Sequence, residues 1–316
     1  MMSKVLLTGA TGFLGHHVLP VLEETYGTDA VIAVGSAAGD LTEPSVCRKL
    51  VQEVKPEIVV HLAAYSGGIG ANKAFPADFY HINTLLTANM FRAAAEAGVK
   101  KLVYPMGGCA YPADAVSPIG EAQLFRGYPQ AESAGYSMAK AMGVVAARSY
   151  QQQYGMRSVV MIPGNMYGEF DNFRENESHV VPAMVRRFYE AMKAGVDEVT
   201  MWGTGSPERD FVYAADVAAT FPYFLEEYDG QGPINISSGT RVSIRELTEM
   251  IVDITGFKGA VKWDTTKPDG QKVKIFDTQL MAAEGLTCST SLRQGLENTI
   301  EWFAANYEAG PGIIRL

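Results

Sequence analysis

The sequence predicts an α/β protein: a doubly wound parallel sheet carrying helices on both faces, with a smaller α/β unit attached. Three observations predict it. Short β-branched runs alternate with longer stretches of helical spacing through the first half of the chain. The first run leads straight into a glycine-rich turn, Gly9-Ala10-Thr11-Gly12-Phe13-Leu14-Gly15. The 316 residues exceed the length at which one core usually keeps growing, so a large unit with a smaller companion is expected.

Taken in order, Lys4–Thr8, Ala30–Val34, Glu57–Leu62, Lys101–Pro105 and Arg157–Ile162 are expected as strands of one sheet. Thr42-Glu43-Pro44 opens a helix, and Phe79–Ala97 and Tyr136–Tyr154 carry apolar residues at helical spacing. After Pro163 the regularity breaks into an Asn/Glu/Phe-rich loop at Gly168–Ser178, a helix at Val181–Ala194 and a strand at Glu198–Trp202. Phe211–Tyr228 reads as a return to the larger unit, and Pro233–Leu316 as further helices and a strand. The division expected is residues 1–165 with about 210–230 in the larger unit, and 166–209 with 231–316 in the smaller one.

Charge and composition narrow the function. A formal net charge of −9 opposes general affinity for nucleic acid, whose phosphates need a basic surface. An anionic ligand must be captured locally, by Arg186, Arg187, Arg209 or the lysines between Lys267 and Lys274. The apolar run Val5-Leu6-Leu7 meets Gly9 too early for a signal-peptide core, and no stretch approaches the roughly 18 apolar residues of a membrane span. A cytoplasmic protein that does not enter the membrane is expected. Cys47, Cys109 and Cys288 are widely spaced and odd in number, which fits reduced thiols and gives no zinc pattern, so no metal is expected.

The glycine turn follows a strand and opens a helix, the context in which a dinucleotide is held. Glycine lets the backbone turn sharply and approach a pyrophosphate, and free N–H groups at the helix start favour its charge. Gly9, Thr11, Gly12, Phe13, Leu14 and Gly15 are therefore expected to bind a nicotinamide dinucleotide. The next strand ends Val34-Gly35-Ser36-Ala37-Ala38, with neither an acid for a ribose hydroxyl nor an arginine for a 2′-phosphate. The missing arginine leans toward NAD over NADP. Asp40-Leu41 is either an adenine contact or the turn before the next helix.

Tyr136 and Lys140 stand four residues apart, on one face of a helix. A phenol ionises near pH 10 unless positive charge stands close, and Lys140 supplies it. Such a pair is common by chance, but here it follows several βα units in a chain that begins with a dinucleotide turn, which favours catalysis.

Further stretches carry a resemblance. They are His61–Ala64, Gly67-Gly68-Ile69-Gly70-Ala71-Asn72 with Pro76–Phe79, Cys109-Ala110-Tyr111-Pro112, Asp171-Asn172-Phe173, Ser178–Ala183, Trp202-Gly203, Arg209-Asp210-Phe211 and Lys267-Pro268-Asp269-Gly270. With the glycine turn and the Tyr136/Lys140 pair, the chain resembles the extended short-chain dehydrogenase/reductases of the NAD-dependent epimerase/dehydratase family. Among them it is similar to the GDP-L-fucose synthase family, which are 3,5-epimerase/4-reductases of GDP-4-keto-6-deoxymannose. The resemblance spans nearly the whole chain. It implies a Rossmann-type sheet, hydride chemistry at C4 by Tyr136 and Lys140, and proton transfer at C3 and C5 by Cys109 and His179. It also implies cofactor contacts at Asp40, Leu41, Leu62, Ala63, Ala64, Asn83 and Lys140, with Pro163, Asn165 and Met166 along the nicotinamide. Gly107, Arg187, Trp202, Arg209 and Asp277 are implied around a nucleotide-sugar, a GDP-sugar in particular, and helix faces around Phe91 and Val144 in a homodimer.

One departure stands out. The family places a serine two residues before the cysteine, where Gly107 stands here, so a hydroxyl donor to the C4 oxygen is absent. Loss of one such donor costs ~100-fold or more in rate. This and the neutral end of the second strand suit a redox-neutral epimerase that keeps NAD bound, whereas Cys109 and His179 suit a 3,5-epimerase. A third reading is a homologue that only binds nucleotide-sugar, against which the intact Tyr136, Lys140, Cys109 and His179 stand.

Overall fold

The computed structural model describes residues 3–230, 232–310 and 313–316; Met1 and Met2 at the start and the boundary residue Gln231 lie outside the described residues. The larger unit is built in chain order from β1 (Val5–Thr8), α1 (Phe13–Tyr26), β2 (Val31–Val34), α2 (Pro44–Val54), β3 (Ile58–His61), α3 (Ile69–Ala74), α4 (Pro76–Glu96), β4 (Lys101–Pro105), α5 (Ala134–Tyr154) and β5 (Arg157–Pro163). There follow β6 (Asn165–Tyr167), α6 (Val180–Ala194), β7 (Glu198–Trp202), β8 (Glu208–Arg209), β9 (Phe211–Tyr213), α7 (Ala214–Ala219) and α8 (Phe221–Glu226). The chain closes with β10 (Pro233–Ile236), β11 (Val242–Ser243), α9 (Ile244–Thr255), β12 (Ala260–Asp264), β13 (Val273–Lys274), α10 (Gln279–Ala283) and α11 (Leu292–Asn306).

A six-stranded sheet in the order β10-β5-β4-β3-β1-β2 forms the centre, and every pairing in it is parallel. Central strands of such sheets are covered on both faces and read as continuous apolar runs, as Val5-Leu6-Leu7 and Ile58-Val59-Val60 do. Alternate residues point to opposite faces. Leu6, Val59, Leu102 and Val160 join α2, α4 and α5 in one core, while Val5, Leu7, Val60, Val103 and Met161 join α1, α7 and α8 in the other. After β1 the chain lays β2 on one side and β3 on the other, so a crevice opens at the carboxyl ends of β1 and β3.

The five strands expected from the sequence are those of this sheet, and the sixth was not foreseen in it. The strand at Pro233–Ile236 pairs with β5 across Pro233↔Val160 to Ile236↔Pro163, so it is an edge of the large sheet rather than part of the smaller unit. Its short run gives no periodic signal that distinguishes the two places.

A third core gathers Val181, Met184, Val185 and Phe188 of α6, Leu247 and Ile251 of α9, Leu296, Ile300 and Phe303 of α11, and Phe173 and Ile314. The start of α9 is fixed by a capping box between Ser243 and Glu246. Phe91 and Val144 are buried within the chain, because α4 and α5 pack on each other and on the sheet. The outward residues of those helices are others, among them Tyr80, Met142, Val145 and Tyr154. Among the described residues no helix is long and apolar enough to cross a membrane.

Candidate active site

The glycine turn leaves β1 with Gly9 at φ 72°. A Cβ on Gly9 would lie 2.6 Å from the Ala63 nitrogen, and one on Gly15 would collide with the Gly9 carbonyl. The turn is therefore closed around backbone at both ends, and only glycine fits. Gly12 is the N-cap of α1 and no side chain caps it, so the first N–H groups of the helix stay free for a pyrophosphate. Leu14 is buried behind the turn and Thr11 is exposed in front of it. These residues fit a dinucleotide, whose nicotinamide supplies or accepts a hydride when bound.

At the end of β2, Thr11 packs so closely that a Cβ on Gly35 would lie 2.6 Å from its hydroxyl oxygen. Arg48 of α2 is held by Glu96 at 3.1 Å. The Asp40 carboxylate accepts from the Thr42 amide at 2.8 Å and hydroxyl at 2.7 Å, which lowers its pKa. Leu41 is buried in the α2 core, so its side chain faces inward. Leu62, Ala63 and Ala64 follow β3 beside Gly9. Asn83 is buried, and its amide accepts from the Tyr65 N–H at 3.0 Å and donates to the carbonyls of Tyr65 at 2.9 Å and Phe79 at 2.7 Å. It braces the loop after β3 and offers no free side-chain group. Pro163 ends β5, and Asn165 donates to the Asp210 carbonyl at 2.8 Å beside Met166.

The side chains expected to react come from α5 and from the turn after β4. Tyr136 is half-buried, its ring edge-on to Phe79 at 6.1 Å. Lys140, one turn later, is 3% exposed, and burial lowers its pKa to about 7, with Cys109 acting the other way. Burial, then the neighbouring Cys109 and Tyr104, raises the Tyr136 pKa above its ordinary value. The phenol is a proton donor in this setting, and it becomes a better one only with positive charge beside it.

Gly107 lies between the two reactive groups: a Cβ there would sit 3.1 Å from Cys109 Sγ, 3.2 Å from Tyr136 Cε1 and 3.8 Å from the Tyr136 oxygen. A Cβ on Gly108 would collide with the Phe276 ring, so the turn carrying Cys109 rests on a residue from far along the chain. His179 occupies the N-cap position of α6 without a side-chain capping hydrogen bond, and no hydrogen bond joins it to Cys109. Its loop reaches the Tyr136 region through backbone: the Gly68 N–H donates to the Glu177 carbonyl at 2.6 Å, and a Cβ on Gly67 would stand 3.3 Å from Phe79. Desolvation lowers the His179 pKa although the residue as a whole is exposed.

On the other side of Cys109, Arg209 and Lys274 are register partners in the parallel pair β8–β13. Burial lowers the pKa of both, and the Lys274 ammonium is near enough to Cys109 to be stabilised by it. Two cations there can take an anionic group. Trp202 is 69% exposed at the end of β7 with Lys267 Nζ 5.8 Å from its ring, and Arg187 is exposed on α6 without an ion pair among the described residues. The Asp277 carboxylate accepts from the Gln279 amide at 2.9 Å at the start of α10, so it is partly committed to the backbone.

Residues 5–237 match the NAD dependent epimerase/dehydratase family. The chain belongs to that family. Its six-stranded parallel sheet matches the Rossmann-like fold of its GDP-L-fucose synthase neighbours, and it is an NAD(P)-dependent enzyme of the nucleotide-sugar class. It is 38% identical to GDP-L-fucose synthase 1 of Arabidopsis thaliana, over 96% of this chain and 94% of that one. Among solved structures it is similar to a GDP-L-fucose synthetase of Naegleria fowleri bound to NADP, with a TM-score of 0.89 and 28% identity over 99% of this chain and 96% of that one. A GDP-D-glycero-L-gluco-heptose synthase of Campylobacter jejuni crystallised with NADPH has a TM-score of 0.87 and 26% identity, over 96% of this chain and 98% of that one.

Three residues of this family member were not singled out from sequence. Lys274 was only one of a run of lysines. Asp210, whose Oδ2 accepts from Ser237 at 2.9 Å and from the Phe276 amide at 3.0 Å, ties β9 to the floor under Cys109. Phe276 itself reads as an ordinary core aromatic, and no local pattern reveals it.

Proposed function

We propose that the chain converts a GDP-linked 4-keto sugar by proton transfer at C3 and C5 followed by hydride transfer at C4, as an epimerase/reductase of the GDP-L-fucose synthase type. The observation that carries this reading is the grouping of Cys109 and Tyr136 around Gly107, with Lys140 one turn away and the Arg209/Lys274 pair alongside. A C4 ketone acidifies the protons on C3 and C5. Cys109 and His179, from separate segments, remove a proton on one face and return one on the other. The Tyr136 hydroxyl donates to the C4 oxygen as it becomes an alkoxide, and Lys140 balances the phenolate left behind. Arg209 and Lys274 receive the diphosphate, with Arg187, Trp202 and Asp277 along the nucleotide.

The cofactor reading is NAD in preference to NADP, because no arginine stands at the end of β2 and Arg48 is tied to Glu96. The division of labour is a dinucleotide-binding unit of residues 1–165 with about 210–230, now including β10, and a nucleotide-sugar-binding unit from the rest. A cytoplasmic homodimer is part of the same reading, with no nucleic-acid partner; outward residues of α4 and α5 such as Met142 and Val145 are its contact face.

The test is incubation with GDP-4-keto-6-deoxymannose and NADH or NADPH in deuterated water. Deuterium is expected at C3 and C5, with one reduced cofactor consumed per sugar. Cys109→Ser and His179→Gln are expected to abolish exchange, and exchange surviving in both variants overturns the assignment. Exchange without net cofactor oxidation would select the second reading, a redox-neutral epimerase, which Gly107 favours.

A further inference from the structure

We propose that Tyr104 is a positioning residue for the catalytic lysine: its ring face is the seat on which the Lys140 ammonium is held charged and aimed at Tyr136. This rests on the epimerase/reductase reading for its purpose, and on geometry for its substance. Lys140 Nζ lies 3.9 Å from the centroid of the Tyr104 ring. Among the described residues no carboxylate or hydrogen-bond acceptor pairs with that ammonium, although the side chain is almost completely buried. A cation placed over an aromatic face is attracted by the ring's negative quadrupole, and the attraction grows when water is excluded.

The ring is held in that place from every side. Tyr104 is fully buried, and its hydroxyl is tethered to the Thr87 hydroxyl of α4 at 2.8 Å. His61 of β3 lies alongside at 6.1 Å with planes 26° apart, and Phe91 stands edge-on at 5.7 Å. On α5 itself, Gly143 is the opening that admits the ring, since a Cβ there would collide with it. Lys140 and Gly143 are three residues apart and share a helix face, so one helix supplies both the cation and the gap for its aromatic partner.

The titratable groups around Lys140 are His61 on β3, Tyr104 on β4 and Cys109 after β4, with Tyr136 one turn back on α5. His61 is buried between Thr8 Oγ1 at 2.7 Å and the Leu86 carbonyl at 3.2 Å, and burial lowers its pKa to about 3, so it adds no competing charge near neutral pH. Burial pulls Lys140 toward its neutral form and Cys109 acts the other way; in this proposal the Tyr104 face joins the forces that oppose burial.

The test titrates Lys140 in the cofactor-free protein by carbon-13 NMR at lysine Cε, with the resonance assigned by its absence in Lys140→Met. Tyr104→Phe keeps the face and is expected to leave the midpoint unchanged, while Tyr104→Leu is expected to lower it by about one unit. Mono-, di- and trifluorinated phenylalanines at position 104 keep the shape while draining the face, and a stepwise fall in the midpoint is expected even if Tyr104→Leu does not fold. The pH profile of C4 reduction should shift in the same order. Coincident titrations across the fluorinated series, or a Tyr104→Phe shift as large as that of Tyr104→Leu, overturn the proposal. Because the titration needs no substrate, failure of the wild-type protein to reduce a 4-keto sugar would count against the reaction alone.

Discussion

Cys109 and Tyr136 crowd the same empty corner, the one that a side chain on Gly107 would fill at 3.1 Å from the sulfur and 3.2 Å from the ring. Gly107→Ala is expected to displace one or both by a few tenths of an ångström and to slow both deuterium exchange and C4 reduction about tenfold. Gly107→Ser pays the same steric cost but brings a hydroxyl to the C4 oxygen, so it should outpace Gly107→Ala in single-turnover reduction and match it in exchange. Equal rates of reduction in the two variants would remove the donor argument.

Lys140 makes stability depend on pH in a defined direction. Its folded pKa is about 7, against an unfolded value of about 10.4. Between those values the unfolded chain binds the extra proton, so stability rises with pH across the window, and the cost of burial is fully present below pH ~7. Lys140→Met should stabilise the cofactor-free protein by about 1–4 kcal/mol at pH ~6, the gain fading toward pH ~10, as read by urea unfolding. A gain that does not change with pH would contradict the burial cost.

The loop leading to His179 is held at its far end by the C-terminal segment. The Phe173 amide donates to the Arg315 carbonyl at 2.9 Å, the Arg315 guanidinium donates to the Phe170 carbonyl, and Phe170 stacks on His16 at 4.4 Å. Arg315→Ala is expected to loosen this attachment and slow C3/C5 exchange about tenfold, with dinucleotide affinity changed less than twofold. Isothermal titration with NADH or NADPH, run beside exchange by NMR, separates the two effects.

Ser36 stands at the exposed end of β2, where a 2′-phosphate would lie. Ser36→Arg is expected to raise the NADPH over NADH preference in kcat/KM by about tenfold, since guanidinium binds phosphate through paired hydrogen bonds. Steady-state kinetics with both cofactors measures it; an unchanged ratio would mean that the ribose end is read elsewhere.

The groups proposed to act are legible in the sequence because they are tied to local geometry. A glycine turn must follow a strand and precede a helix, and Tyr136 and Lys140 must be one helical turn apart, so both are visible in a few residues. What stayed hidden depends on distant segments meeting. The four residues Pro233–Ile236 fit either sheet by sequence, and only their pairing with β5 puts them on the edge of the large one. The Arg209/Lys274 pair exists only through the pairing of β8 with β13, and nothing local to Tyr104 marks it apart from other core aromatics; the Lys140 ammonium over its ring does. Asn83 and Asp277 were expected at ligands, yet Asn83 spends its amide on the Tyr65 and Phe79 backbone and Asp277 engages Gln279.

Phe276 under the Cys109 turn and the edge strand at Pro233–Ile236 both come from the chain beyond Tyr228. A nascent chain that has left the ribosome only as far as Tyr228 already owns the glycine turn, Cys109, Tyr136 and Lys140, but neither the ring nor the strand that finishes their surroundings. Until Phe276 has been made, the turn that carries Cys109 lacks the ring on which it rests.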